Sequence, residues 1–187
     1  MRASLHKIIF VDLEMTCGYP EDTEPKVKTA EVIEFGIVEV NTRDLVVTRK
    51  ESILVKPRYG HITPYCTELT GITQEMVDDG ISFEKACKRI RNSYGSKSRA
   101  WYAWGDDARQ VDAECAAKKC ASPFGQKHVD LALLYCHLLG TKQKRGLYRA
   151  LGERDIEASG EAHRAVDDAM NTALIWIDLA KSLRLDK

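Results

Sequence analysis

The sequence contains no C-x-x-C pair and no cysteine–histidine spacing of the kind that holds zinc, although it has six cysteines: Cys17, Cys66, Cys87, Cys115, Cys120 and Cys136. That excludes a zinc-stapled fold, and the cysteines read as small apolar residues of a reduced protein. No apolar run reaches the length of a membrane span, and the opening residues lack the apolar stretch of a signal peptide. The expectation is an intracellular, cytoplasmic protein with no membrane partner. Internal repeats, low-complexity tracts and Pro/Gly/Ser-rich linkers are missing too, so the 187 residues are expected to form a single domain, 1–187. Net charge is absent, because 28 Lys and Arg balance 28 Asp and Glu. A uniformly basic surface is therefore excluded, and any contact with nucleic acid must come from a local patch.

What is present begins with IIFVDLEMTC, residues 8 to 17. Ile8 to Val11 read as a strand covered on both faces. Asp12 and Glu14 follow, two residues apart, so on a strand they share a face. Like charges side by side in a core repel and lose hydration. The first strand is expected over residues 7–13. EVIEFGIVEV and VVTRKESILVKP, separated by the turn NTRD, are expected to form a hairpin. A helix is expected from the N-cap Ser82, a strand at RAWYAW, a helix after Asp106 to about Cys120, a helix over HVDLALLYCHLLG ended by Gly140, and a short helix near LYRALG. The last helix is expected from about Arg164 to Leu183. This order suggests an α/β sandwich with a mixed central sheet.

The last helix holds adjacent Asp167 and Asp168. Helical geometry aligns Asp168 with Ala165, Thr172, Ile175 and Leu179, a mostly apolar face. Asp167 aligns with Arg164, Asn171 and Asp178, a polar face, and is expected to be solvated. An inward Asp168 joins Asp12 and Glu14 as a third carboxylate in need of neutralisation. Hard oxygen ligands of this kind suit magnesium or manganese. Helix capping or pairing with distant arginines is the bland alternative for each acid taken singly.

Together these motifs resemble the DEDDh class of 3′-to-5′ exonucleases, in the ribonuclease T and proofreading-exonuclease superfamily. VDLEMTC matches the first motif, and HRAVDD supplies the H-x-x-x-x-D spacing of the third with His163 and Asp168. The second motif corresponds to WYAWGDDARQVDAEC, where either Asp106 or Asp107 can be the family's aspartate. Asp107 keeps the relation to an apolar residue four positions on, Val111, and is preferred. CTELTGIT and WGDD are most similar to the branch that trims structured RNA ends, the enhanced-RNA-interference type, although no accessory nucleic-acid-binding domain is expected ahead of these motifs.

The resemblance implies a ribonuclease H-like fold with a mixed five-stranded sheet flanked by helices. It implies two divalent cations, Mg2+ or Mn2+, held by Asp12, Glu14, Asp107 and Asp168, with His163 as general base. It places Met15 and Leu69 near the terminal nucleotide, although both can equally be core residues. The implied partner is nucleic acid with a free 3′ end, single-stranded or overhanging, with RNA favoured over DNA. Trp101 and Trp104 can stack on bases, but their place in a strand favours core packing. Lys142, Lys144 and Arg145 form a basic loop that can meet phosphate. Two other functions compete: a non-catalytic nucleic-acid-binding or regulatory protein on the same fold, and a DNA-specific proofreading or repair exonuclease.

Overall fold

A computed structural model describes residues 6–18 and 30–185, with the side chain of Leu185 left aside. A sheet of six strands forms its centre: β1 (Lys7–Met15), β2 (Val32–Asn41), β3 (Val46–Lys56), β4 (Ile81–Ser82), β5 (Trp101–Ala103) and β6 (His128–Asp130), in the order β4-β3-β2-β1-β5-β6. The expected count of five is thus one short. The long hairpin β1–β2–β3 is antiparallel, and the short strands β4, β5 and β6 pair in parallel. His128–Asp130 was expected to open a helix. Instead it pairs with Trp101–Ala103, and the helix starts at Leu131 after Asp130 accepts the Leu133 N–H at 3.0 Å.

Seven helices among the described residues complete the fold: α1 (Pro64–Thr70), α2 (Gln74–Asp78), α3 (Phe83–Tyr94), α4 (Asp107–Ala117), α5 (Leu131–Leu138), α6 (Leu147–Glu153) and α7 (Ala165–Leu185). The period-2 alternation of β1 sorts its side chains between two cores. Ile9, Val11 and Leu13 pack with Phe83, Cys87 and Ile90 of α3 and Val111 of α4. Ile8 and Phe10 pack with Ala169, Ala173 and Ile177 of α7. By the same alternation Asp12 and Glu14 lie on the α7 side.

The contact between α7 and the sheet depends on one small residue. Gly36 pairs with Asp12 across the ladder, and a Cβ on it would lie 2.0 Å from the backbone C and O of Ala165. Only glycine lets the start of α7 settle this closely onto β2. Glu34, fully buried and opposite Glu14, completes the seat. It accepts the Ala165 N–H at 3.1 Å, pairs with the Arg164 guanidinium at 3.2 Å, and accepts the Ser52 hydroxyl. One carboxylate thereby caps the N-terminus of α7 and favours its dipole.

Candidate active site

The seat on β2 brings the two ends of the chain together. Asp12 is half-buried and Glu14 is buried at the end of β1, and Asp168 is buried in the first turn of α7. His163 precedes α7 with a left-handed φ of 61°, uncommon for a residue with a Cβ. Its N–H donates to Asp168 Oδ2 at 3.2 Å, which gives the H-x-x-x-x-D spacing a physical meaning. The chain turns back so that Asp168 holds the backbone of the histidine, and ligand atoms of Glu14, His163 and Asp168 fall within 4.8 Å of one another.

The second motif completes the cluster. Asp107 is the first residue of α4, half-buried, whereas Asp106 is exposed and makes no capping hydrogen bond. Burial raises the Asp12 carboxyl well above its usual range, and the charges of Asp107, Asp168, Glu14 and Glu34 push it the same way. Burial, then Asp168 and Glu34, raises Glu14 to about 8, against the opposing pull of Arg164. Burial raises Asp107 to about 6, helped by Asp106 and Asp130. Asp168 is also raised by burial, although the Tyr148 hydroxyl at 2.5 Å and the His163 N–H offset part of this. These acids are under-neutralised by the protein's own groups. Their oxygens form a hard donor set, and a divalent cation between them would relieve the repulsion that raises them. The donor chemistry and the electrostatics both fit such an ion.

Reading the sequence missed Glu34, Arg164 and Tyr148. An acid within the apolar strand VIEFGIVEV is the signal that pointed to Asp12 and Glu14 in β1, and it applies equally to Glu34. Tyr148 carried no such signal. Asp167 is also placed differently from the expectation of a solvated face. It is half-buried and accepts the Glu161 N–H at 3.1 Å, and Asn171 on the same line is fully buried against Ser159. The loop from Asp155 to His163 folds over this side of α7 and covers it.

Met15 and Leu69 are both half-buried, with Met15 packed at the edge of the core and α1 held near it by the Cys66 thiol donating to the Met15 carbonyl at 3.6 Å. Trp101 is buried between Phe124 and His128, and Trp104 donates its indole N–H to the Arg145 carbonyl at 2.9 Å. Both are packing residues. In the basic loop, Lys144 meets Asp130 at 2.6 Å and Arg145 meets Glu153 at 2.9 Å, while Lys142 is exposed.

The profile of the exonuclease (RNase T) family matches residues 9–176, a span that runs from the start of β1 through most of α7. The chain belongs to this family. A probable 3′-5′ exonuclease of Bacillus subtilis, KapD, is 28% identical over 88% of this chain and 80% of its own length. ERI1 exoribonuclease 2 of Mus musculus is 32% identical over 90% of this chain, which spans only 28% of that relative. Among solved structures, the nuclease domain of 3′hExo, a DEDDh family member bound to rAMP, superposes with a TM-score of 0.84 at 24% identity, covering 96% of this chain and 94% of that one. The fold is accordingly that of the ribonuclease H-like exonuclease domains, and the protein is a 3′-to-5′ exonuclease of a family that works with divalent metal ions. No helix among the described residues is long and apolar enough to cross a membrane.

Proposed function

We propose that this exonuclease removes 5′-mononucleotides from the 3′ end of RNA, with a single strand or overhang as its substrate and two Mg2+ or Mn2+ ions at the cluster. The observation that carries this reading is the convergence of Asp12, Glu14, Asp107 and Asp168 with one exposed imidazole, His163, on the end of β1. A pure binder of nucleic acid would present cations to phosphate, not four carboxylates whose charges repel one another and the ligand alike.

Asp12, Glu14 and Asp168 would hold one side of the metal cluster, and Asp107 would complete the other. Divalent cations bound there would supply the charge compensation that lets an anionic phosphodiester enter, and would stabilise the leaving oxygen. His163 takes the proton of the attacking water, because its ring is exposed and its backbone is pinned to Asp168. Tyr148 and the His163 N–H fix the orientation of the Asp168 carboxylate. Arg164 neutralises Glu34 and keeps that second acid from adding its full repulsion to Glu14. Met15 and Leu69 would flank the terminal nucleotide, and the exposed Tyr65, one turn before Leu69 on α1, offers a ring for stacking.

The test is digestion of matched RNA and DNA oligonucleotides labelled at the 5′ end, blunt and overhanging, in magnesium, in manganese and in excess chelator. A ladder shortening from the 3′ end of RNA is expected, abolished by chelator. Undiminished hydrolysis in chelator would overturn the metal assignment, and a large rate advantage on DNA would overturn the RNA preference.

A further inference from the structure

On the opposite side of the sheet from Asp12 and Glu14, three cysteines meet. Cys87 lies on the buried face of α3 with Phe83, Ala86 and Ile90. Cys115 sits in the last turns of α4. After α4 ends, Lys119 takes a left-handed φ of 51°, and the Cys120 N–H donates back to the Cys115 carbonyl at 2.9 Å. The reversal lays Cys120 beside Cys115. The three sulfurs lie within 4.8 Å of one another, two of them buried and Cys120 half-exposed.

We propose that Cys87, Cys115 and Cys120 form a three-coordinate site for a thiophilic cation of the monovalent copper type. Three sulfurs at about 2.3 Å from a central ion stand roughly 4 Å apart in a trigonal plane, so closing the site needs less than about 1 Å of movement. No fourth His, Cys, Asp or Glu ligand atom joins the group among the described residues. Zinc in a structural site takes four protein ligands, whereas soft thiolates in a smaller set favour Cu+. Cys120 gives the ion its entry from solvent. Hard and soft donor sets are thus segregated on the two faces of the sheet, so magnesium and copper would not compete.

The experiment is an anaerobic titration of the reduced full chain with Cu+ in the presence of bicinchoninate as a competing chelator, with near-ultraviolet spectra recorded throughout. Cys87→Ser, Cys115→Ser and Cys120→Ser are compared with Cys17→Ser, which disrupts the only other close thiol pair among the described residues, Cys17 with Cys66. The expected result is one chelator-resistant equivalent with a sulfur-to-copper charge-transfer band in wild type and Cys17→Ser, lost in the other three. Cys120 is half-exposed, so Cys120→Ser decides the matter even if the two buried variants fail to fold. Failure of the wild type to retain Cu+, retention unchanged in Cys120→Ser, or displacement of Cu+ by equimolar Zn2+ would each overturn the proposal.

Discussion

Replacing Gly36 by alanine should damage the active site without touching any ligand in it. The added Cβ would lie 2.0 Å from the Ala165 C and O and 2.3 Å from the Val166 N. Ordinary carbon contacts begin near 3.5 Å, so the first turn of α7 must retreat by roughly 1.5 Å. The obstacle is backbone, and no side chain can swing aside to absorb the clash. Alanine in a strand gains about 0.5–1 kcal/mol over glycine, while overpacking costs about 1–3 kcal/mol, so a net loss of stability is expected. The kinetic effect should be larger. Asp168 and His163 ride on the displaced turn, and misplacing reacting groups by ~1 Å can cost about 100-fold in rate. Urea unfolding gives the stability change, and turnover of 3′-end RNA at saturating magnesium, normalised to folded protein, gives the rate change. Gly152→Ala is the control: nothing lies within 4 Å of the new Cβ, and alanine within α6 should stabilise by up to ~1 kcal/mol. Wild-type turnover and an unchanged urea midpoint in Gly36→Ala would refute the claim that this glycine seats α7.

Four further outcomes are expected. Asp107→Ala should lose orders of magnitude in turnover and Asp106→Ala little, since Asp107 is half-buried next to the cluster and Asp106 is exposed; a reversed order would move the second-motif ligand by one residue. In chelator, stability should fall as pH rises from about 5 to about 8, because Glu14, raised to about 8, and Asp107, raised to about 6, keep protons in the fold that the unfolded chain releases at lower pH. Saturating magnesium should flatten that slope, as read from urea midpoints at the two pH values. Tyr148→Phe removes one donor from Asp168, worth about 1–2 kcal/mol, and should slow turnover by about ten-fold with magnesium still required, as a metal titration of activity would show. Asp167→Ala frees the Glu161 N–H and should lower stability by about 1 kcal/mol in urea unfolding while leaving turnover near wild type.

The parts of the site that could be read in the sequence are those set by local geometry. Asp12 and Glu14 share a strand face because the period is two, and the spacing of His163 and Asp168 is one loop-to-helix turn. Strands of two and three residues, such as Ile81–Ser82 and His128–Asp130, are too short to show any periodicity, so the pattern along the chain announced neither of them and the helix at Leu131 was expected to begin too early. The seat of α7 was hidden for another reason. Arg164 and Glu34 are 130 positions apart, and no pattern along the chain announces that an acid in one strand caps a helix so distant. Asp167 was misjudged because helical phase alone does not reveal that a loop covers the polar face.

Charge balance separates the acids that the fold neutralises from those of the proposed metal cluster. Burial pushes Glu39 up, but hydrogen bonds from Lys7, Thr48 and Arg99 outweigh it and leave the carboxyl below its usual range. Glu31 follows the same logic with Lys118 and the N–H groups of Arg58, Tyr59 and Gly60, and Glu51 with Tyr94, Arg49 and Arg89. Glu31 and Glu39 are buried and Glu51 is half-buried, and the fold itself supplies each with donors and a cation. Burial is the largest upward push on Asp12, Glu14 and Asp107, and the neighbours that act on them are mostly other acids, so little offsets it and their shifts run upward. Glu34 lies directly opposite Glu14 but has Arg164, Ser52 and the Ala165 N–H as its own partners. The 28 basic residues could have neutralised every acid in the chain; they are distributed so that one cluster is left without enough of them. Such a deficit costs stability in the metal-free protein, and a divalent cation at the proposed site would offset it.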